Sequence, residues 1–148
     1  MSAQLGDLQV KIGETVTFSK TVGESDVYMF AGITGDFAPV HVNEAYMQNS
    51  AYGRRIAHGV LIMGFMSTAS SLIVQDKAAA SPGEVPVSLG YNKIRFLKPV
   101  FINDTVTVTY RIVETDTERR RSKSEVRVTN QNDELVCIAE HILKWVPK

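Results

Sequence analysis

The spacing of apolar positions changes period part-way along the chain. In residues 8–18, Val10, Ile12, Val16 and Phe18 predict one strand. Thr21-Val22-Gly23-Glu24 has the spacing of a capping box and predicts a short helix with Val27, Phe30 and Ala31 on one face. Gly32 and Gly35 are expected to break it. Asp36 to His41, with Pro39 inside, reads as irregular, and Asn43 to Ser50 as another short helical piece. Ile56 to Gln75 carries no Asp, Glu, Lys or Arg and predicts a long helix buried in protein on all sides. Its length is close to that of a bilayer span, but Gly64, Ser67, Thr68, Ser70 and Ser71 make it too polar for one.

Beyond Ser81-Pro82-Gly83 the period becomes two. Val85 to Val100 is one extended run, ended by Pro99. Thr105 to Glu114 alternates, with Val106, Val108, Tyr110 and Ile112 on one side. Thr115 to Arg121 turns the chain, Ser124 to Thr129 alternates again, and Asn130-Gln131-Asn132-Asp133 is a second turn. Leu135 to Val146 closes the pattern, with Cys137, Ala139, His141, Leu143 and Trp145 on one face. A meander of antiparallel strands and one apolar helix bury each other if the sheet curves around the helix. The expected class is therefore α+β, with one domain over residues 1–148. Such a sheet leaves an open edge, and pairing two copies removes it, so a dimer is expected.

Composition narrows the functional classes. The 148 residues are 44% hydrophobic and 22% charged, ordinary values for a folded domain. Lys plus Arg and Asp plus Glu are each 16, which leaves no general positive field for nucleic acid. The single cysteine, Cys137, rules out an internal disulfide and a multi-cysteine zinc site. The start, Met1 to Asp7, lacks the basic and apolar run of a signal peptide. Both features fit a reducing, cytoplasmic setting.

The chemistry is concentrated in Phe30 to His41 and in Ile56-Ala57-His58-Gly59-Val60-Leu61. Asp36 and His41, five residues apart across Pro39, converge if their loop curls. A carboxylate beside an imidazole is suited to holding and polarising a water molecule. The competing reading is an aspartate that caps a helix and a histidine packed on the core. Gly59 opens the apolar helix, where a backbone N–H lacks an intrahelical partner and the helix dipole is positive. Such an N–H can serve as an oxyanion hole for a thioester carbonyl, or the glycine can simply mark a packing contact.

Together these residues resemble the MaoC-like dehydratases, in particular the R-specific enoyl-CoA hydratases of hot-dog fold. The family signature is an aromatic residue, a short spacer, then Thr/Ser-Gly-Asp-x-Asn-Pro-hydrophobic-His. It stands here as Phe30 to His41, with Ala38 in place of the asparagine, and Met47 replaces a later small residue. Ile56 to Gly59 is similar to the family's helix-head segment, and Ile94-Arg95-Phe96-Leu97-Lys98-Pro99-Val100 to a strand common to hot-dog dehydratases and thioesterases. The resemblance implies that Asp36 and His41 form the catalytic dyad and that Gly59 donates the oxyanion-hole N–H. It implies that Ser67 supports the dyad from the helix interior, and that Ala38 removes a brace from the loop. It implies reversible hydration of trans-2-enoyl-CoA to (R)-3-hydroxyacyl-CoA, with coenzyme A as part of the substrate and no metal or redox cofactor. The expected assembly is a homodimer or a dimer of dimers, with no nucleic-acid or membrane partner. A hot-dog thioesterase and a non-catalytic acyl-CoA-binding subunit are the alternatives.

The remaining residues read as structural. His58 is expected to shape the helix start, His141 to be a satisfied core or interface histidine, and Cys137 to be a small core residue. Arg119-Arg120-Arg121 reads as a solvated charge run at a turn, or else as a clamp for coenzyme A phosphates.

Overall fold

The computed structural model describes residues 6–77 and 83–148, so Met1 to Leu5 and the Ser81-Pro82 turn signal lie outside the described residues. The elements are β1 (Thr15–Thr21), α1 (Glu24–Thr34), α2 (Pro39–Val42), α3 (Glu44–Met47), α4 (Gly59–Leu72), β2 (Glu84–Phe96), β3 (Thr105–Asp116), β4 (Arg121–Thr129) and β5 (Leu135–Pro147). The strands form one antiparallel sheet in the order β1-β3-β4-β5-β2. The expected α+β class holds, and β3, β4 and β5 are the expected meander. β2, however, pairs with β5 at the far edge rather than with β3, its successor in sequence.

The period-two reading of β3 is exact in outcome: Val106, Val108, Tyr110 and Ile112 have no exposed surface. They face α4, which buries Ile62, Phe65, Met66, Ala69 and Ser70. α4 is shorter than its apolar run suggests. Ile56 and Ala57 are held extended, Ile56 in a bridge to Phe101 and Ala57 through its N–H to the Val100 carbonyl. Its 14 residues span about 21 Å. No helix of the described residues is long and apolar enough to cross a membrane. Nor is α4 buried on all sides: Val60, Gly64, Ser67 and Ser71 lie on an exposed side of the single chain.

Several local expectations are corrected. The first strand begins at Thr15, although Leu8 and Val10 are buried in the core. Thr21 does not cap α1, because β1 runs on to Thr21 and its hydroxyl bonds that of Thr105 across the ladder. Gly23 is the N-cap, and its N–H donates to Asp26 Oδ2 at 2.7 Å. Gly32 lies inside the helix; Gly35 ends it in the left-handed region, φ 80°, with its N–H on the Ala31 carbonyl. β2 stops at Phe96 rather than Val100. Arg120 is neither solvated nor free for phosphate: its guanidinium pairs with Glu84 and donates to the Gly6 carbonyl.

His141 is wholly buried, with Tyr110 Oη 2.7 Å from Nδ1 and Ser88 Oγ 2.8 Å from Nε2. Burial pushes its imidazole down to about 4. A histidine held neutral by folding contributes stability that is complete above its ordinary value of 6.5 and is lost as pH falls towards 4. Urea midpoints should therefore drop across that window. His141→Asn should be less stable at neutral pH yet lose less on acidification. An unchanged acid slope in the variant would assign the sensitivity to other groups.

Candidate active site

The loop after α1 carries the aspartate, and it is not irregular throughout. Pro39 sits at the first position of α2, where its missing N–H costs nothing, and His41 rides on that helical turn. Asp36 is exposed at the turn's approach. Its Oδ1 accepts the Ala38 N–H at 3.2 Å, and its own N–H donates to Thr34 Oγ1 at 3.2 Å. The capping reading of Asp36 is thus partly true, but one carboxylate oxygen brackets the turn and leaves the other open. Ala38 is the α2 N-cap and offers no side-chain cap. The turn is braced by the Asp36 carboxylate and by His58 instead.

His41 is fixed from behind. Its Nδ1–H donates to the Ile56 carbonyl at 2.8 Å, since a carbonyl can only accept. That hydrogen bond sets the neutral tautomer and leaves Nε2 as a free acceptor. The segment supplying Ile56 is tied down by Arg55, which is bonded to Glu24, Glu44 and the Tyr28 hydroxyl. Met47, where the signature expects a small residue, is buried at 1% exposure.

His58 is the N-cap residue of α4 and is 2% exposed. Its Nε2–H donates to the Asp36 carbonyl at 3.0 Å. Its ring stacks on His41, with centroids 3.8 Å apart, and lies 4.7 Å from the Phe30 ring on centroids. One side chain therefore touches the aspartate backbone, the histidine ring and the helix head. The structural expectation for His58 holds, with more contacts than the sequence could show.

A carboxylate oxygen of Asp36 and one ring nitrogen each of His41 and His58 lie within 4.8 Å of one another. No direct bond joins Asp36 to His41 among the described contacts, and the spacing suits one shared water. The three also form a candidate metal cluster by distance: His41 Nδ1 and His58 Nε2 donate to backbone carbonyls, which leaves the opposite nitrogen of each ring unengaged.

His41 and Gly59 both line a cleft of about 290 Å³, with Tyr52, Val60, Phe96 and Leu97 among its walls. The Gly59 N–H opens α4 and has no acceptor among the described residues. The fold sets Asp36 beside His41, and His41 and Gly59 on one cleft. Sequence reasoning missed Phe96 and Tyr52, whose places depend on contacts distant in sequence. Ser67 is not part of this cluster. It is exposed, and it stands by Tyr91, whose phenol burial pushes up while the Ser67 hydroxyl opposes the shift. The dyad support implied for Ser67 is not assembled within one chain. Cys137 is buried as expected and also lines the cleft; burial raises its thiol to about 11, far from a nucleophilic thiolate.

Residues 7–135 match the MaoC like domain, and the chain belongs to that family. It is 41% identical over 100 residues to a Rhodospirillum rubrum (R)-specific enoyl-CoA hydratase, a match spanning 68% of this chain and 64% of that protein. It is 35% identical over 139 residues to a Methylorubrum extorquens 3-hydroxybutyryl-CoA dehydratase, covering 94% of this chain and 82% of the relative. The solved (R)-hydratase from A. caviae superposes with a TM-score of 0.77 at 27% identity, over 91% of this chain and 96% of that one. The fold is accordingly the hot-dog fold.

Proposed function

We propose that this chain is an (R)-specific enoyl-CoA hydratase that adds water reversibly to trans-2-enoyl-CoA thioesters. The observation that carries the reading is the grouping of the Asp36 carboxylate and the His41 ring beside a cleft that also holds the free Gly59 N–H. The names of the relatives support it.

The geometry gives each residue a role. His41 Nε2 and the open Asp36 oxygen are both placed to accept hydrogen bonds, so a water between them donates both O–H groups and turns a lone pair outward. That lone pair attacks the β-carbon. The C=C π pair moves to the α-carbon and on to the thioester oxygen, where the Gly59 N–H and the α4 dipole stabilise the enolate. One member of the dyad takes the proton lost by the water and returns it to the α-carbon on the same face. The sum is one water added, and the chemistry requires neither a metal nor a redox cofactor. Coenzyme A enters as part of the substrate.

Crotonyl-CoA tests the reading. Loss of enoyl absorbance without release of free thiol is the expected result. Thiol release would make the protein a thioesterase, and no change in either signal would leave an acyl-CoA-binding subunit.

The assembly follows from β2, a 13-residue strand at the sheet edge with Val85, Val87 and Leu89 exposed. Pairing two copies along such edges covers both. Light scattering should give twice the chain mass or an even multiple; a monomer at micromolar concentration contradicts it.

A further inference from the structure

The Phe96 ring occupies the space that any side chain at residue 59 would need. A Cβ added to Gly59 would lie 2.7, 2.8 and 2.9 Å from Phe96 Cζ, Cε1 and Cε2. Those atoms are the tip of the ring, so the ring meets the head of α4 end-on. At the other glycines an added Cβ meets nothing closer than 3.4 Å. This glycine is therefore tied to one aromatic neighbour and not to a turn, since it stands at an ordinary helical position.

Phe96 reaches that place because β2 is bulged. Asn92 opposes Glu140 and Arg95 opposes Ile138, so three steps on β2 match two on β5. Lys93, within the bulge, has φ 52°. The slip sets Phe96 opposite Cys137, where an unbroken register would set it opposite Val136. Residues directly opposite in an antiparallel pair share a face, so the bulge turns Phe96 to the side of Cys137, and both residues line the cleft. The ring is nevertheless 53% exposed. Its tip is against Gly59, and the residue is part of the cleft wall.

We propose that Phe96 is a specificity-determining residue that limits substitution at the α-carbon of the acyl chain. The inference rests on the hydratase reading above. A thioester oxygen on the Gly59 N–H sits about 2.9 Å from that nitrogen. The α-carbon is two bonds from that oxygen, and a substituent on it must share the space beside Gly59 with the Phe96 ring. A flat, unbranched enoyl group passes along the ring; a methyl group at the α-carbon collides with it. Rejection of one methyl group by a pocket is a discrimination of about 10–200-fold.

The test compares kcat/KM for crotonyl-CoA and 2-methylcrotonyl-CoA in the wild-type protein, in Phe96→Ala and in the milder Phe96→Leu. The second variant keeps the test open if the first folds poorly. The wild type should prefer crotonyl-CoA by at least about tenfold, and both variants should narrow that ratio, Phe96→Ala by about tenfold or more. A purely structural role for Phe96 would lower both values together and leave the ratio unchanged, which overturns the inference. A wild type indifferent to the methyl group overturns it as well. Inactivity of the wild type on crotonyl-CoA would overturn the hydratase reading first, and is distinguishable for that reason. Thermal unfolding of Gly59→Ala, alone and with Phe96→Ala, reads the contact without activity: the second change should restore part of the lost Tm, and no restoration counts against the proposal.

Discussion

Asp36→Asn should lower kcat for crotonyl-CoA hydration by at least about a hundredfold, and so should His41→Gln, with circular dichroism and assembly unchanged. A positioned proton-transfer group contributes about 10²–10⁴-fold, and each substitution removes one acceptor from the shared water. Asn keeps the size of Asp36 and the bracket to the Ala38 N–H but loses the basic carboxylate. Gln at position 41 can still hydrogen-bond but cannot carry a proton between water and carbon. The double variant should be little worse than either single one, because both groups act on the same molecule of water. Hydration in D₂O should give (R)-3-hydroxybutyryl-CoA with oxygen and deuterium on the same face. An (S) product, or near-normal turnover in the double variant, would remove Asp36 and His41 from the reaction.

His58→Ala should be nearly as damaging, through a different route. The side chain touches no reacting atom, yet it ties the Asp36 backbone, the His41 ring and the head of α4 together. Its removal opens a buried gap, with a loss of stability on the order of 2–4 kcal/mol by the scale of large-to-small core changes. It also frees both dyad members, and misplacement by about 1 Å can cost about a hundredfold in rate. His58→Gln retains a donor for the Asp36 carbonyl, and His58→Phe retains the stacking. Partial recovery of kcat in the Gln variant, with KM little altered, would identify the hydrogen bond as the positioning contact. Recovery in Phe alone would assign the effect to stacking, and equal loss of stability and activity in all three would reduce His58 to packing.

Asp36 and His41 were legible as neighbours because they are local in sequence, and their catalytic role was read from the resemblance to the MaoC-like dehydratases. The place of Gly59 on the cleft with His41 is tertiary, whereas its position at the head of the apolar run is local. The alternation of β3, with four residues fully buried, and the Asn130–Asp133 turn were legible for the same reason. The turn closes on itself, with Asn130 Oδ1 accepting the N–H groups of Asn132 and Glu134. Arg120 shows the opposite case. A run of three arginines looks solvated, but Glu84, 36 positions earlier, draws the middle one inward. Thr21 and Glu24 have the spacing of a cap, but a ladder partner at Thr105 outcompetes the helix for the threonine hydroxyl.

The sequence by itself determined the α+β class, the alternating faces of the strands and the closeness of Asp36 and His41. Each depends on periodicity or on neighbours a few positions apart. Tertiary structure alone decided that β2 crosses to pair with β5, that a bulge turns Phe96 onto Gly59, that His58 bridges Asp36 and His41, and that Ser67 lies outside their cluster. Hydrophobic period states which face of an element is buried and not what it is buried against. Pairing partner and register are settled by long-range competition between alternative contacts. A one-residue slip in that competition, as between Asn92 and Arg95, moves a side chain from one face of the sheet to the other.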